Sequence, residues 1–342
     1  MGGTSLVLLH SEKGKEISVL ANTVISDLVD KKRNPLNPLD TNFAWNNLKP
    51  VYAFERIGSN TLTKLFNAVR EGEDVWATDM SEAQAFREEQ AKKYNFDSWD
   101  FDKKYPFTTH RGTPFELTLG EMMSIYAFAK DEHSKGHLIG EGFVFDPKKE
   151  VVKQVKGKIE VKVNLEDATS YNLSEEIVDE IISKIPQEAR DFADAMQDYL
   201  STTMGAKGNE VSLELYEIKL FKNNNYFPLK VAPQYMAVAK EKAQGDVKIK
   251  NKGFTKDRKE GAQNPIVLSS FMDVWANHVN EMSMYHAFTL PLEDFYRVFN
   301  YKTPRMEGYA PMSVNASLEN AYGKGAVAYI DQLLKDLNGG AR

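Results

Sequence analysis

The sequence predicts a mainly α fold: a multi-helix assembly with one or two small β-hairpins and a long irregular loop. Three observations carry this expectation. Apolar residues recur at three- and four-residue spacing in most segments, helix start and stop signals punctuate them, and only two stretches carry the marks of short paired strands. A chain of 342 residues with 42% hydrophobic content can bury a sizeable core. No linker divides it cleanly, so an N-terminal helical region with a hairpin (1–165) and a C-terminal helical region (166–342) are expected to pack as one continuous unit.

The segment KEISVLANTVISDLVDKK places Ile17, Leu20, Ala21, Val24, Leu28 and Val29 on one helical face. After the break NPLNPLD, the segments LKPVYAFERIG, SNTLTKLFNAVREG and MSEAQAFREEQAKKY are each bounded by Gly, Ser or Asn signals and read as short packed helices. WDFDKKYPF is an aromatic connector expected to lie across a core. FTTH and FELT flank the turn RGTP and predict a hairpin. Thr118 stands three residues before Glu121, the spacing of a capping box, in which each side chain satisfies an exposed backbone N–H at a helix start. The helix EMMSIYAFAKDEHSK follows, with Gly136 suited to end it.

VVKQVKGKIEVKV alternates apolar and basic residues around Gly157 and predicts a second hairpin. Ser174 followed by Glu175 and Glu176 marks a helix start, with acidic charge at the positive end of the helix dipole. Pro186 opens a further helix with Ala189, Phe192, Ala193, Met196, Tyr199 and Leu200 as its core stripe. NEVSLELYEIKLF then gives way to NNNYFPLKVAP and QGDVKIKNKGFTKDRKEGAQNP, so residues 222–268 are expected to form a long exposed loop. Two last helical units, Ser269 to Asn300 and Val314 to Leu337, are joined by YKTPRMEGYAPM.

Composition removes several function classes. With 43 basic against 49 acidic residues and a formal charge of -6, wholesale coating of nucleic acid or of an anionic membrane is disfavoured. The absence of cysteine excludes disulfides, thiolate nucleophiles, iron–sulfur clusters and cysteine-ligated zinc, so a metal site would need His, Asp and Glu. The apolar run at Leu6 to Leu9 is shorter than a signal-peptide core, and no stretch is long and apolar enough to predict a membrane-spanning helix; the expected compartment is cytosol, or a virion interior for a viral chain. The phosphate-binding, dinucleotide-binding, serine-hydrolase and zincin signatures do not occur, and no cofactor is expected.

Four constellations remain as candidate sites. His133 and His137 are four apart, so a continuous helix would point both imidazoles to one face, as a metal pair requires. Gly136 is expected to interrupt that helix, which favours a cationic last turn that complements the helix dipole, and no metal site is assigned. Lys248, Lys250, Lys252, Lys256, Arg258 and Lys259 surround Phe254, a pattern that allows phosphate contact and base stacking on single-stranded nucleic acid. Asp246, Asp257 and Glu260 dilute it, and a solvated loop is the favoured reading. His110-Arg111-Gly112 is similar to the strand-borne Arg-Gly of ADP-ribosyltransferases, but it falls at a hairpin turn and the later elements of that family are not identifiable.

The fourth constellation is HVNEMSMYHAF. Helical periodicity places Phe271, Val274, Trp275, His278, Met282 and Tyr285 on one side, and Asp273, Asn280 and Ser283 on the other. His286 is rotated by about 80° from His278 and lies two turns away. A packed histidine hydrogen-bonded locally to Glu281 is therefore favoured over a metal or catalytic role.

The stretches LTLGEMMSIYAFAKDEHSKGHLIGEGFVF, GNEVSLELYEIKLF, NNNYFPLKV and GFTKDRKEGAQNPIVLSSFMDVWANHVNEMSMYHAFTLPLEDFYRVFNYK resemble the phage polyvalent-protein-associated regions. These are parts of very large multidomain proteins of bacteriophages and integrated mobile elements, and the resemblance extends from about Phe54 through AYGKGAVAYIDQLLKDLNG. In that family such regions accompany portal, head-morphogenesis, methylase, helicase and toxin modules. The resemblance implies a non-enzymatic, virion-associated or co-injected protein found in the virion or host cytoplasm. Its partner would be a virion component, an adjacent module of a longer chain or a host protein, and no catalytic residue is implied. The alternatives are a host-takeover effector that binds host machinery or nucleic acid through the basic loop, and an ADP-ribosyltransferase or metal-dependent enzyme.

Overall fold

The computed structural model describes residues 12–31, 45, 48–145, 150–155, 158–162, 170–230, 264–304 and 312–339. In chain order the helices are α1 (Glu12–Val29), α2 (Pro50–Ile57), α3 (Asn60–Lys93), α4 (Leu119–Ala129), α5 (Glu132–Ile139), α6 (Glu175–Ser183), α7 (Gln187–Tyr199), α8 (Gly205–Tyr216), α9 (Phe271–Phe299), α10 (Val314–Tyr322) and α11 (Lys324–Gly339). The strands are β1 (Lys104–Thr108), β2 (Pro114–Thr118), β3 (Phe143–Phe145), β4 (Glu150–Val155), β5 (Lys158–Lys162) and β6 (Ile266–Leu268). The fold is mainly α, as the periodicity predicts. Two compact units form, residues 1–77 with 286–342 and residues 78–285, a division that pairs the chain ends and does not fall near residue 165.

In the first unit, Ile17, Ala21, Val24 and Leu28 of α1 share a core with Phe54, Ile57, Phe66, Val69, Phe295, Val298, Phe299, Leu318 and Ile330. Val29, expected on the buried face of α1, is exposed. Pro50 starts α2 where no intrahelical N–H is needed, and Gly58 ends it at φ 61°. The Ile57 carbonyl then accepts from Lys31 Nζ at 2.6 Å and the Tyr322 hydroxyl at 3.0 Å. The two short helices expected between residues 59 and 94 are one 34-residue helix, α3, and Gly72 lies inside it. A Cβ at Gly72 would sit 2.8 Å from the Ala287 carbonyl oxygen and 2.8 Å from the Phe288 ring. Pro291 inside α9 removes the N–H that this carbonyl would otherwise accept from. Gly72 is thus kept small by a close approach of two helices. Gly323, at φ 85°, breaks the single helical unit expected over 314–337 into α10 and α11.

The second unit contains three two-stranded sheets among the described residues. β1 and β2 form the expected hairpin, in register at Phe107 and Phe115, and the Thr109 N–H closes it on the Thr113 carbonyl at 2.9 Å. Antiparallel alternation then places Pro106 and Pro114 in non-hydrogen-bonded pairs, so the ladder loses no donor and each outer edge lacks one N–H. The strand β2 runs into α4 through the capping box: the Glu121 N–H donates to Thr118 Oγ1 at 3.3 Å and the Thr118 N–H to Glu121 Oε2 at 2.7 Å. The long helix expected to end at Gly136 divides earlier, because Asp131 accepts from the Ser134 N–H and caps a new helix, α5, that runs through Gly136.

β4 and β5 form the second expected hairpin. The parallel pairing of β3 with β6 was not anticipated by the sequence, since FVF and IVL are too short to declare a strand alone. Ser174 caps α6 by accepting from the Ile177 N–H, and the α7 stripe from Ala189 to Leu200 is buried. Trp99 and Phe101 of the aromatic connector, together with Phe96 just before it, pack on Phe192 and its neighbours. The expectation of an exposed loop over 222–268 fails at Phe227, which is fully buried and stacks on Phe271 with ring centroids 4.8 Å apart.

Helix propensity alone predicts that Gly72→Ala stabilises the protein by about 1 kcal/mol. The contact with Ala287 reverses the sign, and urea denaturation should report a loss of about 1–3 kcal/mol.

Candidate functional site

Helix α9 presents Trp275, His278, Met282 and Tyr285 to the core of the second unit, all buried as the stripe predicts. The Trp275 indole N–H donates to the Met196 carbonyl at 2.9 Å, which ties α9 to α7. The buried face is wider than expected: Val279 and Ser283 are also buried, and Ser283 is not on a solvent face. The His278 ring packs 5.2 Å from Tyr226. Its Nδ1 lies 4.0 Å from Glu281 Oε2, beyond hydrogen-bonding distance, so the expected local bond is not formed between these atoms. Burial, reinforced by the Lys230 charge, pushes the His278 pKa down to about 3, so the imidazole is neutral at physiological pH. Burial, with a smaller contribution from Tyr216, likewise raises Tyr285 to about 12.

His133 and His137 share the continuous helix α5, yet they do not act together. His133 is exposed, whereas His137 is buried with Nδ1 2.7 Å from the Asn264 carbonyl. A carbonyl only accepts, so Nδ1 carries the proton and the ring ties α5 to the residues before β6. Among the described residues, no group of three His, Asp or Glu side chains is placed to hold a metal ion. His110 and Arg111 are exposed at the hairpin turn. Lys248, Lys250, Lys252, Phe254, Lys256, Arg258 and Lys259 lie outside the described residues.

A charge cluster among the described residues joins side chains that nothing in the sequence pairs. Lys207 of α8 places Nζ 2.5 Å from Asp79 Oδ1 and 2.6 Å from Glu82 Oε2, both on α3. Burial alone would lower the Lys207 pKa, but the two carboxylates outweigh it and raise the value, so the ammonium is held charged. Asp79 is only 2% exposed, and Tyr199 beside this cluster stacks on Phe86 with ring centroids 4.5 Å apart. Between Tyr199 and Lys207 the helix passes through a π turn, Leu200–Met204. Such a turn adds a residue and changes the phase of the following helix, here α8. Local sequence signal was limited to the i,i+3 spacing of Asp79 and Glu82.

Two further features lie at the surface of the described residues. A cleft of about 540 Å³ is lined by Pro106, Phe107, Thr108, Pro114, Phe115 and Glu116 of the first hairpin and by Glu180 of α6. At the end of α8, Leu213, Tyr216 and Ile218 are each more than 40% exposed. No family model, curated protein or solved structure matches the chain. Among the described helices, none is long and apolar enough to cross a membrane.

Two outcomes follow from the buried charges. Unfolded His278 takes up a proton below about pH 6.5, whereas the folded residue stays neutral down to about 3. The folded pKa of this base is depressed, so its contribution destabilises the protein progressively as pH falls through that window, by slightly over about 1 kcal/mol per pH unit. Chemical denaturation from pH 7 to pH 4 should therefore show a shallower loss for His278→Gln than for the parent. Lys207→Met should cost on the order of 3 kcal/mol by removing the ammonium beside the buried Asp79 carboxylate, and Lys207→Met with Asp79→Leu should recover most of that loss in the same assay.

Proposed function

We propose that this is a non-enzymatic phage or mobile-element protein, virion-associated or co-injected, that acts through protein–protein contacts. The class rests on the resemblance of its ordered motifs to phage polyvalent-protein-associated regions. The mode of action rests on one observation, the exposed apolar group Leu213, Tyr216 and Ile218. Glu217, at φ 59°, ends α8 in a left-handed turn, so these side chains stand at a helix end. Covering side chains of this size gains roughly 1.5–3 kcal/mol each for full burial, and tyrosine is among the residues that anchor protein interfaces.

A photo-crosslinking residue at position 213 or 216, irradiated in cells carrying the native genetic context, should give a discrete adduct with a virion or host protein. The same residue at Glu188, exposed on α7, should not, and Ile218→Asp should abolish the adduct. Adducts no more abundant at 213 and 216 than at 188 would contradict the proposal.

A further inference from the structure

We propose, resting on the protein–protein reading of the exposed end of α8, that this surface self-associates: its partner is a second copy of this chain, related to the first by a two-fold axis. After the left-handed turn at Glu217 the chain runs back along α8. The Leu220 N–H donates to Ser212 Oγ at 3.3 Å and the Phe221 N–H to Asn209 Oδ1 at 3.0 Å, while Asn209 Nδ2 donates to the Phe221 carbonyl at 2.8 Å. Ile218, Lys219 and Lys222 of this returning segment are exposed. At about 100° per residue, Ser212 and Asn209 flank Tyr216 on the helix surface, so the returning segment with its two lysines lies on the Tyr216 side. Leu213 is about 60° round from Tyr216, Glu210 lies about 60° beyond Leu213, and Glu214 follows on that same far side. Glu210, Glu214 and Glu217 are exposed as well. Leu213, Tyr216 and Ile218 thus stand between a basic border and an acidic border.

That polarity suits an isologous contact. In a two-fold dimer the same patch faces itself, so each group must meet its complement on the same patch. A two-fold axis parallel to α8 lays the basic border of each copy on the acidic border of the other and stacks the two apolar centres. An axis across α8 sets acidic border against acidic border, and facing like charges select against it. The two α8 helices consequently run parallel, with Leu213 of one copy beside Leu213 of the other. A partner of one charge sign would leave one border opposed by like charge, whereas a second copy satisfies both. Three apolar side chains with a charged rim make a small interface, so the dimer is weak, with a Kd of about 10–100 µM. Exposed ion pairs add little to that affinity and act chiefly on orientation.

Sedimentation velocity of the full chain from about 5 to 500 µM tests the proposal. The parent should show a concentration-dependent equilibrium of monomer and dimer, and Ile218→Asp should weaken it at least about tenfold. Lys219→Glu with Lys222→Glu should be monomeric, and so should Glu210→Lys with Glu214→Lys, because each double variant sets like charges face to face. An equimolar mixture of the two double variants should dimerise again, since both borders are then complementary, and unfolded variants could not give this rescue. The chain contains no cysteine, so a single substitution reports the register. Under mild oxidation Leu213→Cys should form a disulfide-linked dimer several times faster than Glu188→Cys, which lies exposed on α7. The proposal is overturned by a parent that stays monomeric at about 500 µM, by double variants that associate as the parent does, or by a mixture that stays monomeric. Photo-adducts at 213 with a different protein, beside a monomeric purified chain, would overturn self-association and leave the protein-contact reading standing. That reading fails separately, on the adduct yield at 213 and 216 relative to 188.

Discussion

Helix α9 supplies side chains to both cores: Phe271, Trp275, Val279 and Met282 to one, and Leu292, Phe295, Val298 and Phe299 to the other. An amphipathic surface helix needs to bury only a stripe, but α9 is covered around much of its circumference, and this constraint shapes what surrounds it. Gly72 leaves room for the Ala287 carbonyl. Gly208 plays a comparable part in the second unit, where an added Cβ would meet Met282 of α9 and Phe221 at under 3 Å. Phe227 is drawn out of an irregular segment to stack on Phe271, since the first turn of α9 would otherwise present that ring to water.

The polar groups of the second unit follow from the same burial. His278 is neutral because burial against α9's neighbours disfavours a charged imidazolium, and the Trp275 N–H is satisfied by a carbonyl of α7. Lys207 meets the buried Asp79 with a full charge, stabilised by a second carboxylate at the surface. These groups hold helices together, and their shifts are consequences of packing. Among the described residues, the exposed apolar end of α8 lies apart from these groups.

What the sequence made legible was local. The amphipathic spacing of α1, the Thr118–Glu121 box, the Ser174 cap and the two hairpins each depend on residues within a few positions of one another, and each formed where expected. Glycine was read less well, because its meaning is set by tertiary contact: Gly72 and Gly136 lie inside helices, whereas Gly323 ends one. The parallel pairing of β3 with β6, the Lys207 cluster and the His137 tie to Asn264 join distant segments and left no periodic trace. Of the candidate sites, the His278 stripe was legible by period, but its depth, which decides the charge of the histidine, was not.

Helix α9 should be the most firmly held element of the fold, and amide hydrogen exchange measures that most directly. The amides of Val279, Met282, Phe295 and Val298 should be among the most protected in the chain and exchange only with global unfolding. Exchange of these amides through local opening, as fast as at the exposed end of α8, would contradict the claim that each core is anchored on its own part of this helix.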